Sequence, residues 1–488
     1  MNRRNSWMKR WNSKFLNWLL LGMGGLILFF FFYEVLPYHL LHREQMILFL
    51  FSPIELIQYF NNSGGLARLS GDFLTQFFCY KGAGPLIMAV VLVSWGVVVY
   101  KLSFPYLGRW AWFVVILAVI WETGKECGLN YPLSGTISLI GIGLVYLLCR
   151  FFIRKPLKWG VPISVFVISL GYWLWGYGNW SSSWYNTPDL RREKMLAIDS
   201  EFYFGHWQKV QKLLDEDNQA SLLFTYYRNL YNAQRNQLPD KLMSYSQPLS
   251  QVLFLPISPS SNYIMIYAAN EAWFAIGDMT MAEHAAILGM IFSPYQKGTR
   301  PIKRLAEINL INGDDAAALK YLRLLQKTLC YKRWAERRIP GNLSPDVQQW
   351  LKRKRELISQ TDTLRLSTDV SASLIHLLNN NRDNFMARDY LLCFDLLNKD
   401  ITSFVDHYQE FAKNMVPSGI YAEALLIYLA EKKTSAEEIK EWKISPFILN
   451  EFKNYSKLYQ TSNGNAGLLK ATFGNTYWYY FHNALIER

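Results

Sequence analysis

The residues best suited to chemistry lie in one segment, 34–83, which separates two long apolar stretches. A pocket built there would use its charged side chains: Glu34, Glu44, Glu55, Arg68 and Asp72. A carboxylate held beside a membrane can act as a general base or bind a metal ion. A collar of helices at the membrane surface would carry the same residues, so the segment supports both interpretations.

Two of these acids allow a comparison with polytopic glycosyltransferases that use lipid-linked sugars. Those enzymes place an acidic residue in the first outer loop, and Glu34 or Asp72, within Gly71-Asp72-Phe73, could take that part here. The comparison implies an envelope glycosyltransferase-like enzyme as the alternative function. Against it, such enzymes usually have more spans, and no paired acidic motif is visible in this chain. Whether the chain is an enzyme stays open, with the balance against it.

His39 and His42 are three residues apart and precede Glu44, so on a helix they would share one face and could bind a metal. Histidines beside a membrane are more often interfacial side chains with polar tips. The remaining histidines are scattered singly, and no zinc, nucleotide-binding or hydrolase motif occurs in a suitable context. The sequence therefore predicts no metal and no cofactor, and its motifs identify no catalytic residue.

The five cysteines form no CxxC pair. In the membrane topology derived below, Cys79 and Cys127 lie on the same non-cytoplasmic side, which allows a disulfide between them. Cys330 and Cys393 are typical of small buried residues in a helical domain.

Five apolar stretches within a transmembrane domain, residues 1–180, would have to position these side chains. Because the hydrocarbon core of a bilayer is about 30 Å thick, a crossing helix needs about 20 apolar residues. The sequence predicts spans at 15–33, 84–100, 104–121, 131–149 and 159–175. The third is the weakest, since it contains Pro105 and Arg109. The outer loop 34–83 is too interrupted to cross, and it predicts interfacial or re-entrant helices.

The formal net charge of +13 is concentrated around these spans. Residues 1–14, 101–109 and 150–158 carry eleven Lys and Arg and no acid. Positive residues favour the cytoplasmic side, so the amino terminus is predicted to be cytoplasmic. An odd number of spans then places the carboxyl-terminal domain on the opposite face, which is periplasmic in the inner membrane of a bacterium. Because topology accounts for most of the basic excess, the sequence predicts membrane lipids and no nucleic acid among the partners.

The outer loop also carries a resemblance to a known group of proteins. The matching motifs are Glu44-Gln45, Leu48-Phe49-Leu50-Phe51, Gly64-Gly65-Leu66 and Asp72-Phe73-Leu74-Thr75-Gln76-Phe77-Phe78. They resemble an uncharacterised family of bacterial multi-span membrane proteins, found mainly in the Bacteroidota, whose members also carry a long helical carboxyl-terminal region. The resemblance implies location and architecture, and it implies no reaction.

The rest of the chain is predicted to be helical, so the fold class is all-α. A linker is expected at 181–199 and a helical domain at 200–488, where apolar residues recur at three- and four-residue spacing. Gly277-Asp278 and Gly313-Asp314 mark turns 36 residues apart. The segments around these turns resemble tetratricopeptide repeats: Ala268–Asp278 with Met281–Ala286, and Leu305–Leu319. The resemblance implies an α-solenoid with a concave binding surface.

First helices of such repeats usually supply the concave surface. The candidate binding residues are therefore Tyr263, Tyr267, Asn270, Glu271, Lys303 and Glu307. A basic insert near 331–368 interrupts the period and offers a patch for an anionic partner, although a solvated helix face is the simpler interpretation. The residues of that patch are Arg337, Arg338, Lys352, Arg353, Lys354 and Arg355.

The leading functional hypothesis is a membrane-anchored helical-repeat scaffold. It would present a protein- or peptide-binding surface on the non-cytoplasmic face, to a partner in the cell envelope. A stacked solenoid suits this role because its concave face can bind an extended peptide or a partner helix. A transporter is disfavoured, since no buried ion pair is visible within the predicted spans.

Overall fold

The computed structural model contains only helices, turns and loops, with no β-strand in the residues that it describes. Those residues are 17–153, 160–176, 185–216, 221–248, 250–256, 261, 263–293, 296–359, 361, 369–417 and 419–484. The predicted all-α fold is confirmed for this part of the chain. The basic residues of 1–14, and those at 154–158, lie outside it.

The chain divides into two compact units. The first, here called the membrane unit, comprises Met1–Ser200, Ser293–Lys303 and Leu319–Asn342. The second, here called the helical unit, comprises Glu201–Phe292, Arg304–Ala318 and Leu343–Arg488. This division differs from the sequence-based boundary near residue 200, because two later segments pack with the amino-terminal helices.

The amino-terminal helices run from the first apolar stretch to residue 203. They are α1 Asn17–Val35, α2 Pro37–Gln45, α3 Pro53–Gln58, α4 Gly65–Thr75, α5 Ala83–Leu107, α6 Ala111–Glu126, α7 Leu133–Ile153, α8 Gly160–Trp175 and α9 Leu190–Tyr203. The last turn of α1, Phe31–Val35, is π-helical.

The helices from residue 207 onward are mostly short and follow one another closely. They are α10 Trp207–Asp215, α11 Leu222–Gln234, α12 Leu238–Lys241, α13 Tyr263–Ile276, α14 Met279–Phe292, α15 Thr299–Asn312, α16 Asp315–Gln326, α17 Lys332–Glu336, α18 Pro345–Arg355, α19 Val370–Asn380, α20 Phe385–Leu397, α21 Ile401–Phe411, α22 Gly419–Glu431, α23 Ala436–Glu441, α24 Pro446–Thr461, α25 Ala466–Phe473 and α26 Tyr477–Asn483.

Three helical stretches in the described residues are long and apolar enough to cross a membrane, not about five as the sequence predicted. They are Asn17–Val35, Ala83–Glu126 and Leu133–Phe151. Two of the five predicted spans merge into the second stretch, which explains part of the difference. The last predicted span forms α8, of 16 residues. At about 1.5 Å per residue a helix of that length covers about 24 Å, which is short of the hydrocarbon thickness.

The second stretch folds back on itself as a hairpin of α5 and α6. Gly108 adopts a positive φ of 54° between the two helices, a conformation that glycine reaches without strain. A Cβ at Gly96 of α5 would lie 3.2 Å from Val119 of α6, and the rings of Tyr100 and Trp112 lie 4.9 Å apart. These contacts pair residues symmetrically about the turn, so α5 and α6 are antiparallel.

The segment 34–83, predicted to be an outer loop, contains helices, as the sequence suggested, but they are not all interfacial. Helix α2 is almost wholly buried. Helix α4 packs so closely against the start of α7 that a Cβ at Gly71 would lie 2.6 Å from the backbone nitrogen of Ser134. The loop is therefore part of the core of the membrane unit.

The segment predicted as a linker, 181–199, contains most of α9. Asp189 caps the helix, because its carboxylate accepts a hydrogen bond from the Arg192 N–H at 2.9 Å. Leu196, Ile198 and Asp199 are buried in the same helix. Residues 181–184 lie outside the described residues. From residue 190 onward the predicted linker is a packed helix.

The helical unit contains the helix pair in which the repeat resemblance is clearest. Helices α13 and α14 are joined at Gly277, where φ is 106°, and Asp278 caps α14 by accepting from the Met281 N–H at 3.0 Å. The same glycine–aspartate turn joins α15 to α16 at Gly313. The second pair is divided between the two units. That these pairs are tetratricopeptide repeats stays a prediction.

Candidate functional site: the buried polar cluster around α2

Helix α2 follows α1 after one residue, and its buried residues are mostly polar. The buried polar side chains are those of His39, His42, Arg43, Glu44 and Gln45. Charged side chains are almost never fully buried unless they are paired. Each of these groups therefore requires a partner from another element, and those partners define the candidate site, here called the α2 cluster.

The amino-terminal end of α2 is capped by Glu193 of α9. Its two carboxylate oxygens accept hydrogen bonds from the backbone N–H groups of Tyr38 and His39, at 2.5 and 2.9 Å. First-turn N–H groups have no partner within a helix, and the helix dipole favours a negative charge there. These two hydrogen bonds fix where α2 begins. Burial of the Glu193 carboxyl group raises its pKa to about 7.

Arg43 and His39 both bind the carboxyl-terminal end of α6. An Arg43 guanidinium nitrogen lies 2.6 Å from a Glu126 carboxylate oxygen, and both side chains are buried. The His39 ring nitrogen Nε2 donates to the Glu126 carbonyl oxygen at 3.0 Å. Burial lowers the pKa of His39 well below its usual value, and the positive charge of Arg43 lowers it further. His39 is therefore a neutral donor, and Arg43 supplies the positive charge.

A second carboxyl group lies one helical turn away, at Glu122. The Thr136 hydroxyl lies 2.8 Å from a Glu122 oxygen and 2.6 Å from a Glu126 oxygen, and the Tyr131 hydroxyl donates to that same Glu122 oxygen at 2.6 Å. One hydroxyl carries a single hydrogen, so it cannot donate to both carboxylates in full. Thr136 thus lies between the two carboxyl groups and contacts both of them.

The carboxyl-terminal half of α2 contacts residues from much later in the chain. Glu44 accepts a hydrogen bond from the Tyr331 hydroxyl at 2.7 Å. The Thr299 hydroxyl lies 3.4 and 3.3 Å from the backbone carbonyls of Glu44 and Gln45. Burial raises the pKa of Glu44 to about 8, so this side chain is mostly protonated at neutral pH.

The remaining charges form a buried ion pair between Asp199 and Arg300. The guanidinium group donates to both carboxylate oxygens, at 2.5 and 2.8 Å, and it also lies 3.4 Å from the Gln45 side-chain oxygen. Burial lowers the pKa of the neighbouring His42 to about 4, so His42 is neutral at neutral pH. Two-pronged pairing of this kind combines charge attraction with a fixed orientation.

The α2 cluster thus contains the buried Arg43–Glu126 and Arg300–Asp199 pairs and a set of protonated or neutral partners. Within the membrane unit it joins α2 to α6, α9, the start of α15 and the residue before α17. Its chemistry is suited to holding these segments in a fixed arrangement.

A family model shows where this chain belongs. Residues 9–185 and 179–484 match the model of a family of unknown function, DUF6057. The chain belongs to this family. No curated protein and no solved structure matches the chain. The predicted resemblance to an uncharacterised family is therefore confirmed, and that family is DUF6057. That its members are multi-span membrane proteins found mainly in the Bacteroidota stays a prediction.

The two acids proposed as catalytic occupy different environments in this DUF6057 chain. Glu34 is exposed in the last turn of α1. Asp72 lies in α4 and accepts a hydrogen bond from the Tyr59 hydroxyl at 2.8 Å, and burial raises its pKa. No hydrogen bond or ion pair joins Glu34 to Asp72 in the part of the chain that the structure describes. Of the other charged residues named with them, Glu44 belongs to the α2 cluster.

The candidate binding residues on α13 and α15 are largely buried. Asn270 donates to the Ala282 carbonyl at 2.6 Å, and Glu271 pairs with Arg304 at 2.8 Å. Tyr267 and Lys303 are also buried, whereas Glu307 is half-buried against Arg304. The side chain of Tyr263 lies outside the described residues. A role in partner binding stays a prediction, and it would require these side chains to become accessible.

The candidate basic patch is divided between the two units. Arg337 and Arg338 lie in the membrane unit, whereas Lys352–Arg355 lie on α18 in the helical unit. Lys354 donates to the Phe274 carbonyl at 2.9 Å, and burial lowers the pKa of Lys354 to about 8. Arg355 donates to two backbone carbonyls at the end of α15. Lys352 and Arg353 are exposed and remain available to a partner.

Sequence reasoning missed the residues that pair with α2. A signal existed for Glu122 and Glu126, because two acids four residues apart at the end of an apolar helix share one face. Both acids lie outside the five predicted spans and outside the segment 34–83, where the sequence analysis looked for acidic and charged pairs. Asp199 and Arg300 gave no comparable signal. The described residues contain no group of side chains that could hold a metal ion.

Proposed function

We propose that the protein is a membrane-anchored helical-repeat scaffold that presents a protein- or peptide-binding surface on the non-cytoplasmic face of a bacterial inner membrane. The observation that carries this proposal is the α2 cluster. It holds Ser293–Lys303 and Leu319–Asn342 in the same compact unit as the apolar helices. A scaffold needs such an attachment if its surface is to stay at the membrane.

The connection between α1 and α2 supports this role. Only Leu36 separates the two helices, and it is buried. An apolar helix therefore leads directly into the α2 cluster, without a flexible tether. Attachment to a membrane raises the effective concentration of a binding surface for other membrane components.

The proposed orientation depends on α8. The hairpin of α5 and α6 returns the chain to the side from which it came, so α1, α5, α6 and α7 together leave both ends on one face. A crossing by α8 places the carboxyl-terminal part on the opposite face. The eleven positive residues of 1–14, 101–109 and 150–158 support that arrangement.

A groove of about 920 Å³ in the helical unit is the surface that we propose for partner binding. It combines apolar side chains with amide and basic side chains, including Leu351, Gln348, Asn380 and Lys352. Amide side chains can donate to and accept from the backbone of an extended peptide. The apolar side chains of the groove would bury apolar side chains of that peptide.

Photo-crosslinking in intact membranes tests this proposal. A photoreactive amino acid is placed at Lys352 beside the groove and, as a matched control, at Lys453, an exposed lysine of α24. We expect a discrete crosslinked protein from position 352 and none from position 453. Equal yields at both positions, or none at either, would contradict the proposed surface.

The alternative hypothesis is a glycosyltransferase-like enzyme. The hydrogen bond between Asp72 and Tyr59, together with the raised pKa of Asp72, supports this alternative. Asp72→Asn and Glu34→Gln should leave a scaffold functional but inactivate an enzyme. Glu216→Gln, at an exposed acid outside this pocket, is the control. If either change abolished glycan transfer to membranes while the crosslinks at position 352 persisted, the enzyme would replace the scaffold.

A further inference from the structure

Two cysteines that are distant in sequence meet in the membrane unit. The Sγ atoms of Cys79 and Cys330 lie 2.8 Å apart, although 251 positions separate the residues in the chain. Cys79 ends the short 3-10 helix Gln76–Cys79, and Cys330 lies in the turn between α16 and α17. A disulfide bond is about 2.05 Å long, so the sulfur atoms need to approach by about 0.75 Å more.

We propose that Cys79 and Cys330 form a disulfide in the native protein. The bond would covalently join the outer loop 34–83 to Leu319–Asn342. The sequence had instead allowed a bond between Cys79 and Cys127. In the structure the Cys127 thiol donates to the Thr123 carbonyl at 3.3 Å, within its own helix end.

The backbone on both sides of the cysteine pair is held by other contacts. The Phe51 N–H donates to the Lys327 carbonyl at 2.8 Å, and the Cys330 sulfur lies 3.2 Å from the Gln76 carbonyl. The next residue, Tyr331, binds Glu44 of the α2 cluster. Contacts on each side of Cys330 therefore bring its sulfur to Cys79 in the reduced protein, which is the geometry that oxidation requires.

The sulfur atoms are also accessible enough to react. Both cysteines are half-buried, whereas Cys127, Cys149 and Cys393 are buried. The Cys79 thiol donates to the Cys330 sulfur, and this hydrogen bond lowers the pKa of Cys330. Because the thiolate is the nucleophile, Cys330 is the sulfur that attacks first.

The reaction is a thiol–disulfide exchange with an oxidising protein that carries a reactive disulfide. The Cys330 thiolate attacks that disulfide, forms a mixed disulfide and releases one thiolate of the oxidant. The Cys79 thiolate then attacks the Cys330 sulfur and releases the second thiolate. The chain loses two protons and two electrons, and the oxidant leaves as a dithiol. This step requires an oxidising compartment, so it rests on the proposed non-cytoplasmic orientation.

Counting free thiols in the full-length protein tests the proposal. Cells are quenched with acid, and the denatured protein is labelled with a maleimide–polyethylene glycol, before or after reduction. The chain has five cysteines, so we expect three labels without reductant and five with it. Cys79→Ser and Cys330→Ser should each give four labels under both conditions. As the control, Cys127→Ser should give two labels and, after reduction, four.

Five labels on the unreduced wild-type protein would overturn the disulfide. The orientation is read separately from a reporter enzyme fused after residue 488. A periplasmic reporter together with five free thiols rejects the disulfide alone, whereas a cytosolic reporter with five free thiols rejects both inferences. A second readout does not depend on any substitution. After cleavage between residues 180 and 185, a non-reducing denaturing gel should show the two fragments joined, and reductant should separate them.

Discussion

Replacing Asp199 by Asn should destabilise the membrane unit strongly, because it leaves the buried guanidinium group of Arg300 without this carboxylate. The substitution preserves the size of the side chain at position 199, and the Arg300 side chain is only 4% exposed. Removing one member of a buried pair typically costs about 3–5 kcal/mol. A unit of 150–250 residues loses about 2–4 °C in melting temperature per kcal/mol. We therefore expect a decrease of about 6–20 °C.

Two further variants show whether the decrease in melting temperature comes from breaking a buried ion pair or from removing any charged side chain. Glu216→Gln disrupts an exposed pair with Lys212, in which the atoms are 4.0 Å apart, and exposed pairs contribute at most about 1 kcal/mol. The double change Asp199→Leu with Arg300→Met removes both charges and should cost much less than Asp199→Asn alone. Melting is followed by tryptophan fluorescence of the full-length protein in nanodiscs. The reasoning is refuted if Asp199→Asn lowers the melting temperature by no more than Glu216→Gln does.

Two further predictions concern carboxyl groups of the α2 cluster. Glu44 has a pKa of about 8 in the folded protein, so above its ordinary value of 4.5 the unfolded chain binds fewer protons than the folded one. The free energy of unfolding should then fall with rising pH, by about 1.4 kcal/mol per unit at most. Glu193, with a pKa of about 7, and Lys354, with a pKa of about 8, also titrate between pH 7 and pH 8. The contribution of Glu44 is therefore read as the difference between the wild type and Glu44→Gln, and the variant should lose less stability over this range. Glu126→Gln should lower the melting temperature far more than Glu122→Gln, because only Glu126 pairs with the buried Arg43; equal losses in the two variants would contradict the assigned pairing.

Local sequence patterns predicted the local features of the fold. Three- and four-residue apolar spacing predicted an all-helical chain. Gly277-Asp278 predicted the turn between α13 and α14, because glycine tolerates the positive φ and aspartate caps the next helix. Both features depend on residues within one or two helical turns of each other, so a single sequence contains the information.

The error in the predicted span count has a physical reason. Hydropathy locates apolar segments, but it does not show that α5 and α6 form one continuous helical stretch with a turn at Gly108. Nor does it show where each apolar helix begins and ends, such as the 16 residues of α8. Those outcomes depend on helix length and packing, which the composition of a segment does not specify.

The candidate site depended on contacts between distant residues. Glu44 meets Tyr331, and Cys79 meets Cys330, across more than half of the chain. Neither pair has a motif that would connect its members. The polar residues of α2 therefore looked like an interfacial helix in the sequence, although in the fold they are buried and paired.

Cleavage of the chain between residues 180 and 185 tests most directly whether the α2 cluster holds the later segments in the membrane unit. A protease site is inserted there in the Cys79→Ser variant, so that no disulfide can join the fragments. After cleavage in mild detergent, the two fragments should elute together on size exclusion, and adding Asp199→Asn should promote their separation. Release of the carboxyl-terminal fragment from the otherwise unaltered protein would contradict the account.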